Sequence, residues 1–216
     1  MAAKPMSFEL VEQKRRAFAA ALRTFRVQKG QYHNPAPDLP AAKLVGCEVL
    51  ASRESLFEKL PKGGLVAKIG IGQGDFVPEI LNLCQPEKLH LFDADVSRLS
   101  NPEARAEMTR ENSRIKMHIG NSAVSMSKMP NGYFNVIYID GDHSYEAVTA
   151  DISAAIPRIA PGGALVFNDY TVWSSVSMFH CGVARAVHEL ALAHPWKFRY
   201  LALQSMMYNN VMLIRE

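Results

Sequence analysis

The sequence predicts an α/β protein with a mostly parallel, doubly wound sheet covered by helices on both faces. Three observations carry this. From Gly64 onward, short apolar runs alternate with segments of helical periodicity, the pattern that right-handed crossovers between parallel strands produce. The runs themselves (LVAKI, KLHLF, FNVIYI, GALVF) are nearly unbroken in apolar character, as strands buried on both faces are. Their carboxyl ends release glycines, acids and amides, and ligands bind at the carboxyl ends of strands in such sheets.

The elements follow in order. Residues 6–27 carry Phe8, Leu10, Val11, Phe18, Leu22 and Phe25 at three- and four-residue steps, with Lys14, Arg15, Arg16 and Arg23 on other faces, so a helix is expected. Residues 29–42 lose that period and include Pro35, Pro37 and Pro40, which marks a linker or an ordered lid. A short helix is expected over 52–60, with Ser52 as its cap. Strand GLVAKIG leads into helix FVPEILNLC, with Pro78 in its first turn. Strand KLHLFD precedes a helix over 102–111, strand RIKMHI one over 122–128, and strand FNVIYID one over 145–159. Strand GALVFND precedes a long helix expected over 177–194. The chain then closes with WKFRYLAL and VMLIRE, read as an antiparallel pair.

Bulk properties narrow the function. The 216 residues suit one domain with an N-terminal extension, and 48% apolar residues suffice for a sizeable core. The formal charge of +3, with no basic stripe interleaved with aromatics, gives no footprint for nucleic acid or an anionic membrane. No apolar run reaches the ~20 residues of a membrane span. Cys47, Cys84 and Cys181 are scattered and odd in number, which fits a reducing, cytoplasmic location.

The strand ends carry the chemistry. KIGIGQGDF offers Gly70, Gly72 and Gly74 for a tight turn close to a ligand, and Asp75 breaks the dinucleotide pattern by standing where its third glycine would fall. Asp93, 23 residues after Gly70, is placed to accept two ribose hydroxyls, with Asp95 as the better candidate for a cap. Asn121 and Ser122 either contact an adenine edge or cap the next helix. Asp140, Asn168 and Asp169 leave two strands expected to be neighbours. They either hold a hard cation such as Mg²⁺, or cap helices and contact substrate without one. Asp142 and His143 lie over the same rim, while Glu146 and Asp151 are expected on the solvated face of the following helix.

The glycine loop, the acidic end of LFDAD, GNS, YIDGDHSY, PGGALVFNDY and the closing strand pair together resemble the class I S-adenosylmethionine-dependent methyltransferases. Within them the chain is most similar to the small bacterial group with the IDGDHSYE signature, akin to the catechol and macrolide-sugar O-methyltransferases. The resemblance covers residues 44–216 and leaves 1–43 as an N-terminal helix and Pro-rich linker or lid. It implies a Rossmann-like sheet of seven strands with the last antiparallel. It also implies cofactor contacts at Gly70, Gly72, Asp93 and Ser122, extended here to Gly74, Asn121 and Asp140, and metal ligands at Asp140, Asn168 and Asp169. One position departs: Lys68 stands where the family carries an acid that holds the methionine part of the cofactor. A lysine there pairs with the cofactor carboxylate or blocks the site.

The implied reaction is metal-assisted methyl transfer to a hydroxyl of a small molecule. Asp140 helps hold the metal, and His143 is the first candidate base. The alternative is a catalytically impaired protein that keeps the fold for binding, with Lys68 as the reason. The 29–42 segment is free to close over the site or to dock on a second subunit of a homo-oligomer.

Overall fold

The computed structural model describes residues 7–29, 35–175 and 178–216. Helix α1 (Phe8–Lys29) leads, with Phe8, Leu10 and Val11 exposed. Residues 30–34 of the Pro-rich stretch lie outside the described residues. From Pro35 to Pro40 the chain has no regular structure, and a 3₁₀ turn follows at Ala41–Leu44. Then come β1 (Glu48–Leu50) and α2 (Arg53–Glu58), whose cap Ser52 accepts from the Ser55 amide as expected.

The alternating body is β2 (Leu65–Ile69), α3 (Val77–Cys84), β3 (Lys88–Asp93), α4 (Pro102–Thr109), β4 (Ile115–Ile119), α5 (Ser122–Ser127), β5 (Phe134–Ile139), α6 (Tyr145–Ala155) and β6 (Ile159–Phe167). After it come β7 (Trp173–Ser174), β8 (Phe179–His180), α7 (Val183–Ala193), β9 (Trp196–Ala202) and β10 (Asn210–Arg215).

The main sheet has the order β1-β9-β10-β6-β5-β2-β3-β4. Strand β10 runs antiparallel to both β6 and β9, and the other pairs are parallel. Seven strands are those read from the sequence. The eighth, β1, pairs Glu48, Val49 and Leu50 with Tyr200, Leu201 and Ala202 at the edge, and three residues are too few to show a period.

Each face of the sheet packs its own core, because alternate residues of a strand point to opposite sides. In β2, Ala67 and Ile69 join Ile137, Ile139, Val148, Ile152, Val187 and Leu190 on the α6–α7 side. Val66 joins Val136, Tyr138, Phe57 and Ile80 on the α2–α3 side.

Of the helix expected over 177–194, residue 177 lies outside the described residues and the helix itself is shorter, α7, with Phe179–His180 paired instead as β8 with β7. Gly182 explains the late start. Its amide donates to the His143 carbonyl, and a Cβ on it would come within 2.3 Å of the Tyr145 backbone. Likewise α6 stops at Ala155, where Pro157 turns the chain into a 3₁₀ turn.

Candidate functional site

A cleft of about 1170 Å³ opens at the carboxyl ends of the parallel strands. The β2 end turns sharply at Gly70 (φ +80°), whose added Cβ would lie 2.0 Å from the Asp140 carbonyl oxygen, so only glycine lets β2 and β5 part this closely. Gly72 (φ +60°) also borders the cleft. Gly74 does not line it. A Cβ there would meet Leu99 at 2.5 Å, so its role in the structure is packing of the loop on the segment before α4.

Asp93 ends β3 and is braced by the backbone. Oδ2 accepts from the Ile71 amide at 2.6 Å and Oδ1 from the Asp95 amide at 3.0 Å. A carboxylate offers about four acceptor sites, so each oxygen keeps capacity toward the cleft. Asp95 turns inward on itself, accepting from the Ser97 amide and hydroxyl.

Asn121 caps α5, accepting from the Val124 amide at 3.0 Å, and also borders the cleft. Ser122 donates its hydroxyl to Asp151 Oδ1 at 2.6 Å. This corrects the expected solvated place of Asp151: it is 3% exposed and lines the cleft wall. Burial raises its pKa, against the hydrogen bond from Ser122. The signal was present but unread: on α6, positions 148, 151, 152 and 155 share the buried face at helical spacing.

Charge organises the β5–β6 end. Lys68, 1% exposed, binds Asp140 Oδ2 through its ammonium, which also lies 4.4 Å from the Tyr138 ring centroid. Lys68 does not line the cleft, so it does not block it. His143 stands between two acids, with Nδ1 3.1 Å from Asp169 Oδ2 and Nε2 3.8 Å from Asp140 Oδ1. The latter is an ion-pair contact too long for a hydrogen bond, and Nε2 has no hydrogen-bond partner. Burial opposes its charge, yet Asp140, Asp169 and Asp142 prevail and raise the His143 pKa. Asp140 is pushed up by burial but held lower overall by Lys68 and His143. Asp169, at φ +49°, has its pKa raised by burial against the pull of His143.

The metal trio expected from the sequence does not fit a divalent cation. Lys68 already neutralises Asp140. Asn168 does not line the cleft, donates its Nδ2 to Asp169 Oδ1 at 2.6 Å, and receives Gln204 on its own oxygen at 3.4 Å. His143 occupies the other Asp169 oxygen. A hard dication needs those oxygens directed at one point and free of competing cations. Among the described residues, no group of three or more His, Cys, Asp and Glu is placed to hold a metal ion.

Tyr170 packs against Phe198 and bonds His188 Nε2, and His188 Nδ1 donates to the Pro37 carbonyl at 2.6 Å, which ties the Pro-rich segment to α7. Cys181 borders the cleft, but burial pushes its pKa up to about 11, so it remains a thiol.

The strand order, the antiparallel β10 and the cleft at the glycine-loop strand define a Rossmann-like methyltransferase fold. Residues 67–170, just under half of the chain, match the family model described as a methyltransferase domain. A Corynebacterium glutamicum protein superposes with a TM-score of 0.54 at 19% identity, covering 92% of this chain and 89% of its own. An O-methyltransferase family protein from Burkholderia thailandensis gives 0.53 at 14% identity, over 76% of this chain and 55% of its own. Spermidine synthase from Thermotoga maritima gives 0.53 at 18% identity, over 79% and 58%. The chain thus spans little more than half the length of the last two, and at these identities the likeness is one of fold. No curated protein matches by sequence. The match marks residues 67–170 as similar to a methyltransferase domain, and the structural likenesses agree with it in fold. Among the described residues no helix is long and apolar enough to cross a membrane.

Proposed function

We propose that the protein is an S-adenosylmethionine-dependent O-methyltransferase of the IDGDHSYE type, acting on a small hydroxylated molecule. One observation carries this: a backbone-braced acid suited to ribose and a carboxylate-held imidazole line the same cleft. Asp93 would hold the ribose hydroxyls, the Gly70–Gly72 turn would admit the cofactor close to the backbone, and Asn121 with the Ser122–Asp151 pair would face the base. The bound cofactor supplies an electrophilic methyl group.

The chain's own contribution is positioning and proton transfer. The His143–Asp169 pair takes the proton of the acceptor hydroxyl, and the imidazolium that forms is flanked by Asp140 and Asp169. The far end of the cleft presents Ser174, Gln204, Ser205 and Tyr208, side chains that pair with a polar acceptor rather than an aliphatic one. Methyl transfer through a bound metal is not part of this reading, because the donor set is already taken by Lys68, Gln204 and His143. Lys68 lies behind the cleft wall, which speaks against the impaired-binder alternative in the form where Lys68 blocks the site.

Calorimetric titration with S-adenosylmethionine and S-adenosylhomocysteine tests the assignment. Wild type should bind with Kd on the order of micromolar, and Asp93→Ala at least about tenfold more weakly. Absence of binding by folded wild type would overturn it. Transfer of a labelled methyl group to a panel of catechols and sugars then reads the acceptor class.

A further inference from the structure

Lys68 is the charged residue of a central strand whose other members, Leu65, Val66, Ala67 and Ile69, are aliphatic. The register places it beside Tyr138 of β5, and residues around it on that face are Val66, Val136 and Val166. Nothing in the packing of this sheet calls for an ammonium. A buried cation is unfavourable unless it is paired and well placed. Here it is paired with the acid that ends β5, on the oxygen turned away from His143. Across that imidazole lies Asp169. Two carboxylates therefore converge on one histidine, and the Lys68 ammonium, paired directly with Asp140, offsets them, with the Arg53 guanidinium at the Tyr138 hydroxyl as a second, more distant positive charge.

We propose that Lys68 is a built-in cation that takes the place of a divalent metal at the strand ends, making this site metal-independent. Lys68 is a positioning residue: it holds Asp140 turned so that Oδ1 faces His143. Its use in methyl transfer rests on the function proposed above, whereas the substitution of one cation for another does not.

The test is uptake of Mn²⁺ alone by the full-length protein, followed by electron paramagnetic resonance, since the free ion loses its six-line signal on binding. Wild type should take up no Mn²⁺ that disappears in Asp140→Asn. Lys68→Met removes the ammonium, the one fixed charge on the trio; the Asn168–Asp169 and His143–Asp169 contacts are between side chains that can rotate toward a dication, so this variant should gain a single Mn²⁺, bound about tenfold or more tightly than any wild-type uptake. Its thermal midpoint should rise with Mn²⁺ while that of wild type stays put, and the gain should vanish in Lys68→Met/Asp140→Asn. Asp140-dependent Mn²⁺ uptake by wild type would overturn the proposal. So would a Lys68→Met protein that gains no Mn²⁺, or one that fails to fold even with Mn²⁺ present. With no cofactor or acceptor in these samples, failure here leaves the methyl-transfer reading standing. Failure to bind S-adenosylmethionine would likewise leave this result intact.

Discussion

The β2–β3–β4 half of the cleft is held in shape by backbone, whereas the β5–β6 half is held by charge. On the first side, Gly70 and Gly72 take left-handed turns and Asp93 is fixed by two main-chain amides. On the second, Lys68, Asp140, His143, Asn168 and Asp169 are fixed mostly by one another. Backbone-held shape tolerates changes of pH and salt. A charge-held arrangement responds to both, and removing one member leaves its partner exposed to the full cost of burial.

The largest effect should come from the first side, where geometry allows no give. Gly70→Val places carbon atoms against the Asp140 carbonyl at a φ that valine avoids, and should cost more than about 4 kcal/mol or abolish folding. Urea denaturation measures this. On the second side, Lys68→Met in metal-free buffer should cost about 3–5 kcal/mol by stranding Asp140. The double variant Lys68→Met/Asp140→Asn should recover much of that loss. Equal stability of the two variants would mean that the pair is not what holds this side.

On the function proposed above, the His143 effect should be kinetic. His143→Gln should lower kcat by about 10²- to 10⁴-fold while cofactor affinity stays within about twofold. Because the His143 pKa is raised, by Asp140, Asp169 and Asp142 against burial, the wild-type rate should climb with pH through a value above that of an ordinary histidine. Asp169→Asn should move that rising limb to lower pH, as one of the charges that raise it is gone. Stability runs the other way. The His143 contribution is full below its unfolded pKa and fades as pH rises through the raised folded value. The smallest effect should be at Asn121, where removing the cap in Asn121→Ala should cost about 1 kcal/mol, read by thermal denaturation.

The two halves also differ in how far the sequence disclosed them. Gly70, Gly72 and Asp93 act through local backbone geometry at a strand end, and such geometry leaves a spacing that can be read. Gly74 shares the spacing yet packs on Leu99, because a glycine pattern marks where the chain turns and not which way it faces. Asp151, expected on the solvated face, shares the buried helical register of Val148 and Ile152. The helix expected over 177–194 starts only at Val183, and the close approach of Gly182 to Tyr145 just before it joins residues far apart in the chain, which no local pattern shows.

By itself the sequence determined the strand and helix alternation, the antiparallel final pair and the placement of acids at strand ends. These follow from periodicity and from residues acting within their own segment. Only the tertiary structure decided what those acids do. Whether Asp140 meets a metal or an ammonium depends on Lys68 reaching it from the neighbouring strand. Whether His143 feels one carboxylate or two depends on where β6 ends. Electrostatic energies depend on distances between separate segments, and no period in a chain encodes those.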